Sequence, residues 1–151
     1  MKFTRYLFLL MSSLLLASCV STKLTIKNID DSAKSPELLN NKTYKLTKTA
    51  TDKKYGYDQD YPVNIGFGTL KERETNAEKF LNALLGPKGE EITYTHDGNC
   101  CPFPTGKSEL GSGMFDVYSI TWEGNAKPLT LYINIYEKGE VFIPKGLTAK
   151  K

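Results

Sequence analysis

Residues 115–136 read FDVYSITWEGNAKPLTLYINIY, two alternating runs joined by a turn-rich connector. In the first run Tyr118, Ile120 and Trp122 share one face. In the second, Leu129, Leu131, Ile133 and Ile135 point one way and Thr130, Tyr132, Asn134 and Tyr136 the other. Alternation of period two writes half-buried strands, because residues i and i+2 project to the same side. Gly124-Asn125-Ala126-Lys127-Pro128 is short enough to close a hairpin. Phe115–Glu123 and Leu129–Tyr136 are therefore predicted as antiparallel neighbours, the second with Leu129, Leu131, Ile133 and Ile135 facing inward and Asn134 outward.

Further strand signals lie on both sides of this hairpin. Val141–Ile143 is expected as a short closing strand and Ile92–His96 as a strand before it. Pro62 opens a run with Val63, Ile65 and Phe67 on one face. Gly66 and Gly68 inside that run point to a bulge or to close approach by another backbone. Tyr44 and Leu46 start the series near Thr43. One helix is written over Thr75–Leu85: Thr75-x-x-Glu78 is a capping box, and Ala77, Phe80, Leu81, Leu84 and Leu85 form one apolar stripe. Gly86-Pro87 ends it. The fold class read from this is α+β, an antiparallel sheet of four to five strands with one covering helix, in a domain spanning 43–151.

Lys2 and Arg5 open the chain, and Tyr6–Leu16 is apolar apart from Ser12 and Ser13. This run is shorter than the about 20 residues of a membrane span and has the size of a signal-peptide core. Residues 1–18 are expected to be an export signal. Leu16-Ala17-Ser18-Cys19 resembles the lipobox of bacterial lipoproteins at all four positions. That resemblance implies that Cys19 becomes the N-terminus and carries S-diacylglycerol and an N-acyl chain such as palmitate. Several chains make a stable membrane anchor where one is marginal. By the same resemblance, Val20 in place of Asp favours the outer over the inner membrane of the cell envelope. The polar composition that follows gives the segment 19–42 as a lipidated cysteine and flexible tether.

The 151-residue chain carries a formal net charge of +3. Without Lys2 and Arg5 the remainder is nearly neutral, which is no footprint for nucleic acid.

Cys100-Cys101, close to the single histidine His96, is the most unusual feature. Three readings are open. The pair forms a vicinal disulfide, suited to an oxidising compartment. Adjacent Cα atoms lie about 3.8 Å apart, against about 4.4–6.8 Å in ordinary disulfides, so such a bridge is strained and reducible. Alternatively His96, Cys100 and Cys101 bind a soft metal, Zn or Cu(I). If Asp97-Gly98 is a two-residue hairpin turn, His96 and Cys101 share a face and Cys100 does not, which leaves two ligands instead of three. In the third reading both cysteines pack a turn.

Other motifs are incomplete. Gly106-Lys107-Ser108 lacks the earlier Gly of a P-loop, because Cys101 stands there. Gly66-x-Gly68 lacks its third Gly at Lys71, and Asp58-x-Asp60 lacks the rest of a calcium loop. Asp116 and the other carboxylates read as solvated surface. Tyr55, Tyr57, Tyr61, Tyr132 and Tyr136 suggest an aromatic binding face, since tyrosine packs its ring while its hydroxyl stays bonded; ordinary sheet decoration competes with that reading.

From about Tyr55 to Gly146 the chain is similar to a family of small exported bacterial lipoproteins of unassigned function. The residues that carry the likeness are Tyr55-Gly56-Tyr57, Pro62–Gly68, Phe80–Leu84, Gly98-Asn99-Cys100-Cys101-Pro102-Phe103, Gly113–Tyr118 and Ile143–Gly146. Members are sometimes labelled 2-dehydro-3-deoxyphosphooctonate aldolase. That enzyme is a (β/α)₈ barrel of about 250 residues, so an aldolase ranks last here. The expectation is a non-enzymatic binding or structural envelope protein, anchored through its lipid and engaging an envelope protein or glycan. The alternative is a redox-active or metal-binding protein using Cys100, Cys101 and His96.

Overall fold

The computed structural model describes residues 26–151. In chain order its elements are β1 (Leu38–Asn40), β2 (Thr43–Tyr44), β3 (Val63–Asn64), α1 (Leu70–Ala83), β4 (Leu84–Leu85), β5 (Ile92–Pro104), β6 (Ser112–Trp122), β7 (Leu129–Asn134) and β8 (Thr148–Ala149). The 115–136 hairpin forms as β6 and β7, in the register Ile120↔Leu129 and Tyr118↔Leu131. β5 adds to β6 in antiparallel fashion and β3 adds to β7, giving the order β3-β7-β6-β5. The domain is thus α+β with one helix among the described residues.

The sheet is not purely antiparallel, because β3 runs parallel to β7. Parallel neighbours need a long crossover. The chain supplies one by passing through α1, β5 and β6 before it returns as β7. β1 with β2 and β4 with β8 form two small antiparallel pairs outside the main sheet.

The helix begins before its expected start at Thr75. Thr69 caps it: the Thr69 backbone N–H and hydroxyl both donate to Glu72 Oε2, at 2.7 and 2.9 Å. Thr69-x-x-Glu72 repeats the spacing of Thr75-x-x-Glu78 six residues earlier, and no breaker separates the two. Thr75 becomes an interior residue that bonds the Glu72 carbonyl. The helix also ends sooner, at Ala83, because Leu84 and Leu85 leave it to pair with β8. Ala77, Phe80, Leu81 and Leu84 are buried as their spacing predicts. They meet Val63, Ile65, Ile120, Leu131 and Ile133 in one core between α1 and the sheet.

Val141–Ile143 does not form the expected closing strand. Ile143 makes a single parallel bridge to Thr49 instead, and the C-terminal strand is β8. Gly66 meets the backbone its sequence context suggests. A Cβ there would stand 2.8 Å from the Glu137 carbonyl oxygen and closer still to the Tyr136 carbonyl.

Two expectations about polar segments are corrected. Asn134, predicted to face outward, is fully buried. It donates to Asn64 Oδ1 at 2.9 Å, and Asn64 donates to the Asn28 backbone and side-chain oxygens, both at 3.0 Å. The segment 26–42, assigned to a flexible tether, packs on the domain. Lys27 N–H donates to the Asp60 carbonyl and Asp30 N–H to the Lys138 carbonyl, each at 2.8 Å, and Asn28 Nδ2 donates to the Pro62 carbonyl at 2.7 Å. A stretch poor in apolar residues docks here because its amides complement buried amides. The signal peptide, Cys19 and residues 20–25 of the tether lie outside the described residues.

Candidate functional site at the edge strand

β5 forms the outer edge of the sheet, and two bulges shape it. His96 pairs with Tyr118 but Gly98 pairs with Val117, so Asp97 is an extra residue. The expected Asp97-Gly98 hairpin turn is absent: β5 runs straight through, with Gly98 at φ +115° and Asp97 accepting from the Ser119 hydroxyl. A bulge takes up the extra residue without ending the strand. The second bulge lies between Cys100, opposite Phe115, and Phe103, opposite Gly113. There Cys100 and Cys101 are joined in a vicinal disulfide, with Cα atoms 3.7 Å apart. Cys101 sits at φ +61°, the sole non-glycine residue with positive φ among those described. That conformation costs an L-residue about 1–2 kcal/mol.

An aromatic anchor holds the bulge. Phe103 is buried, stacks on Phe115 at 4.7 Å between centroids, and meets Tyr136 edge-on at 5.9 Å. Gly113 makes room for it, because a Cβ there would lie 2.8 Å from the Phe103 ring and 2.7 Å from the Tyr136 ring. This cluster lies on the face of the sheet away from α1, and the register places Cys100 with it.

The other face carries the titratable groups. The imidazole Nε2 of His96 lies 3.8 Å from Asp116 Oδ1, which also accepts from Asn99 Nδ2. The His96 ring lies 4.9 Å from Tyr118, and Tyr118 meets Tyr94 at 6.2 Å. Burial pushes the Tyr118 phenol up to about 12, helped by the Asp116 and Glu78 carboxylates. Burial likewise raises Tyr94, again with Glu78 beside it. Both phenols are neutral donors at physiological pH.

Burial also raises the Asp116 carboxyl, against the opposing pull of His96 and of the Asn99 bond. An acid whose folded pKa exceeds its unfolded value binds its proton more readily in the fold. Stability from Asp116 is therefore lost as pH rises from about 4, the unfolded value, through the raised folded one. Asp116→Asn keeps the acceptor for Asn99 and removes the buried charge. Denaturant unfolding should find variant and parent alike in acid, with the variant gaining on the parent toward neutral pH. A loss at neutral pH would mean that attraction to His96 outweighs burial.

The three residues considered for a soft metal are not brought together: by register His96 and Cys100 face opposite sides, and both sulfurs are spent on each other. Among the described residues no group of three His, Cys, Asp or Glu side chains is placed to hold a metal ion. The five tyrosines do not form one face either. Tyr55 belongs to the core, where its hydroxyl accepts from Phe142 N–H at 3.1 Å. Tyr57 donates to the Lys145 carbonyl at 3.1 Å, and Tyr61 lies under Lys27 and Lys54. Tyr132 and Tyr136 pack on Phe115 and Phe103, on the sheet face away from α1. The residues that do assemble, Tyr94, Asn99, Asp116 and Tyr118, gave no sequence signal beyond strand alternation. Only the bulged register brings Asn99 opposite Asp116.

No family model, curated protein or solved structure matches the chain.

Proposed function

We propose that the chain is a lipid-anchored lipoprotein of the bacterial cell envelope, held in the outer membrane through Cys19, whose domain acts by binding and not by catalysis. The observation that carries the binding reading is the vicinal disulfide in the edge strand. It ties up both thiols and locks the chain at Cys101 into one conformation, which suits a preorganised recognition turn. His96 lies 3.8 Å from Asp116 and tilted against Tyr118, and the nearby Cys100 and Cys101 thiols are bonded to each other. An aldolase stays last, since the described residues form one helix on a four-stranded sheet and not a barrel of eight strand–helix units.

Acyl labelling and fractionation of expressing cells test the anchor. The parent chain should take up labelled fatty acid and sediment with membranes, and Cys19→Ser should do neither. An unlabelled, soluble parent would overturn it.

A redox role is the second reading, favoured by the positive φ of Cys101. A dithiol reductant would break the Sγ–Sγ bond, delivering two electrons and two protons to leave two thiols and departing as its own disulfide. The intact mass should rise by two hydrogens, and amide exchange should quicken over Asn99–Phe103 as the bulge relaxes. A mass unchanged by reductant would remove both the locked turn and the switch.

A further inference from the structure

Tyr94, Tyr118 and His96 form a row of rings on the α1 side of the sheet edge. Both tyrosines are half-buried, and the His96 side chain is 45% exposed. At the Tyr94 end the row opens into a cleft of about 600 Å³, walled by Thr75, Glu78 and Asn82 of α1 and by Asn41 and Lys42 of the β1–β2 turn. Small-molecule sites run to about 300–1,000 Å³.

The polar groups around the row are oriented by one another. Asn82 accepts from the Tyr94 hydroxyl and donates to the Lys42 carbonyl, both at 3.0 Å. At the far end Asn99 is fixed on Asp116. The cleft carries both signs of charge, Glu78 beside Lys42 and Lys79, and Asp116 stands at the His96 end of the row. A phosphate or sulfate would call for an excess of cations. An apolar peptide anchor would call for an apolar hole, and this lining is polar. The Tyr94 ring, set edge-on to Tyr118 and bordered by Asn82 and Glu78, matches a ligand that is apolar on its C–H faces and hydroxylated at its edges.

We propose that this row and cleft are a binding site for a neutral oligosaccharide, stacked on Tyr94 and bonded through its hydroxyls by Glu78, Asn82 and Asn99. This rests on the binding reading above and names its ligand class.

His96 is the one histidine of the chain, so its imidazole proton signals report on the row without ambiguity. The purified full chain is titrated with neutral hexasaccharides of β-glucan, xylan, mannan and chitin type while those signals are followed by NMR. At least one sugar should move them saturably. Glu78→Gln, on the exposed side of α1, should weaken that sugar about tenfold through loss of a charge-assisted bond, and Tyr94→Ala should abolish the response. Should Tyr94→Ala not fold, Tyr94→Phe, which frees Asn82, and Glu78→Gln carry the test. No shift with any sugar, or shifts indifferent to these changes, would overturn the site. If no sugar binds but an envelope protein is captured in a way that Glu78→Gln weakens, the glycan assignment falls and the binding reading stands. If neither is found, both fall.

Discussion

Phe115→Ala should lower unfolding free energy by about 3–5 kcal/mol, the cost of emptying a fully buried aromatic site. Phe115 has no exposed surface, and its ring carries Phe103 on one side and the edge of Tyr132 on another. The loss should also have a place. Phe103 is the residue that pins β5 after the Cys100–Cys101 bulge, so without its stacking partner the bulge should open. Hydrogen exchange should quicken across Asn99–Pro104 more than across β7. Phe80→Ala provides the comparison: it empties the α1 side of the sheet, costs a similar amount, and should leave exchange at the bulge close to that of the parent at matched stability. Equal exchange at the bulge in the two variants would show that the aromatic cluster does not position the disulfide turn.

Asn64→Leu should cost about 3–5 kcal/mol although it adds an apolar side chain to a buried site. Asn64 gives two hydrogen bonds to Asn28 and receives one from Asn134. Leucine leaves the Asn134 amide donor and the Asn28 oxygens without partners. Each buried group so stranded costs about 1–3 kcal/mol. The damage should reach the chain's early segment. Release of Asn28 should free Lys27–Asp30 from the sheet, read as proteolytic nicking there under conditions where the parent resists. The double variant Asn64→Leu with Asn134→Leu should recover part of the loss, since it removes a stranded donor along with its partner. A single variant as stable as the parent would mean that water replaces the amide chain without penalty.

Both predictions turn on residues whose importance is hidden in the sequence. Alternation placed Leu129, Leu131 and Ile133 correctly, because burial of one face is a property of the strand itself. It failed at Asn134 because part of what covers the opposite face, residues 27–30, comes from a distant part of the chain. The helix stripe was legible, since 3.6-residue periodicity is local. Its start was not, because two capping boxes of identical spacing compete. The neighbouring cysteines are conspicuous in the sequence, where a disulfide is one of three readings open to them. The side of the sheet each would occupy depended on an unpaired Asp97, which an alternation pattern cannot count.

The β6–β7 hairpin, the apolar stripe of α1 and the cysteine pair are all written locally, as products of side-chain periodicity or of adjacency along the chain. Tertiary structure alone decided the parallel pairing of β3 with β7, the buried asparagine chain and the row of Tyr94, Tyr118 and His96. Each of these joins residues far apart in sequence, and its energy exists only once the backbone has closed around it: a buried amide or a stacked ring is stabilised by partners that no local pattern encodes.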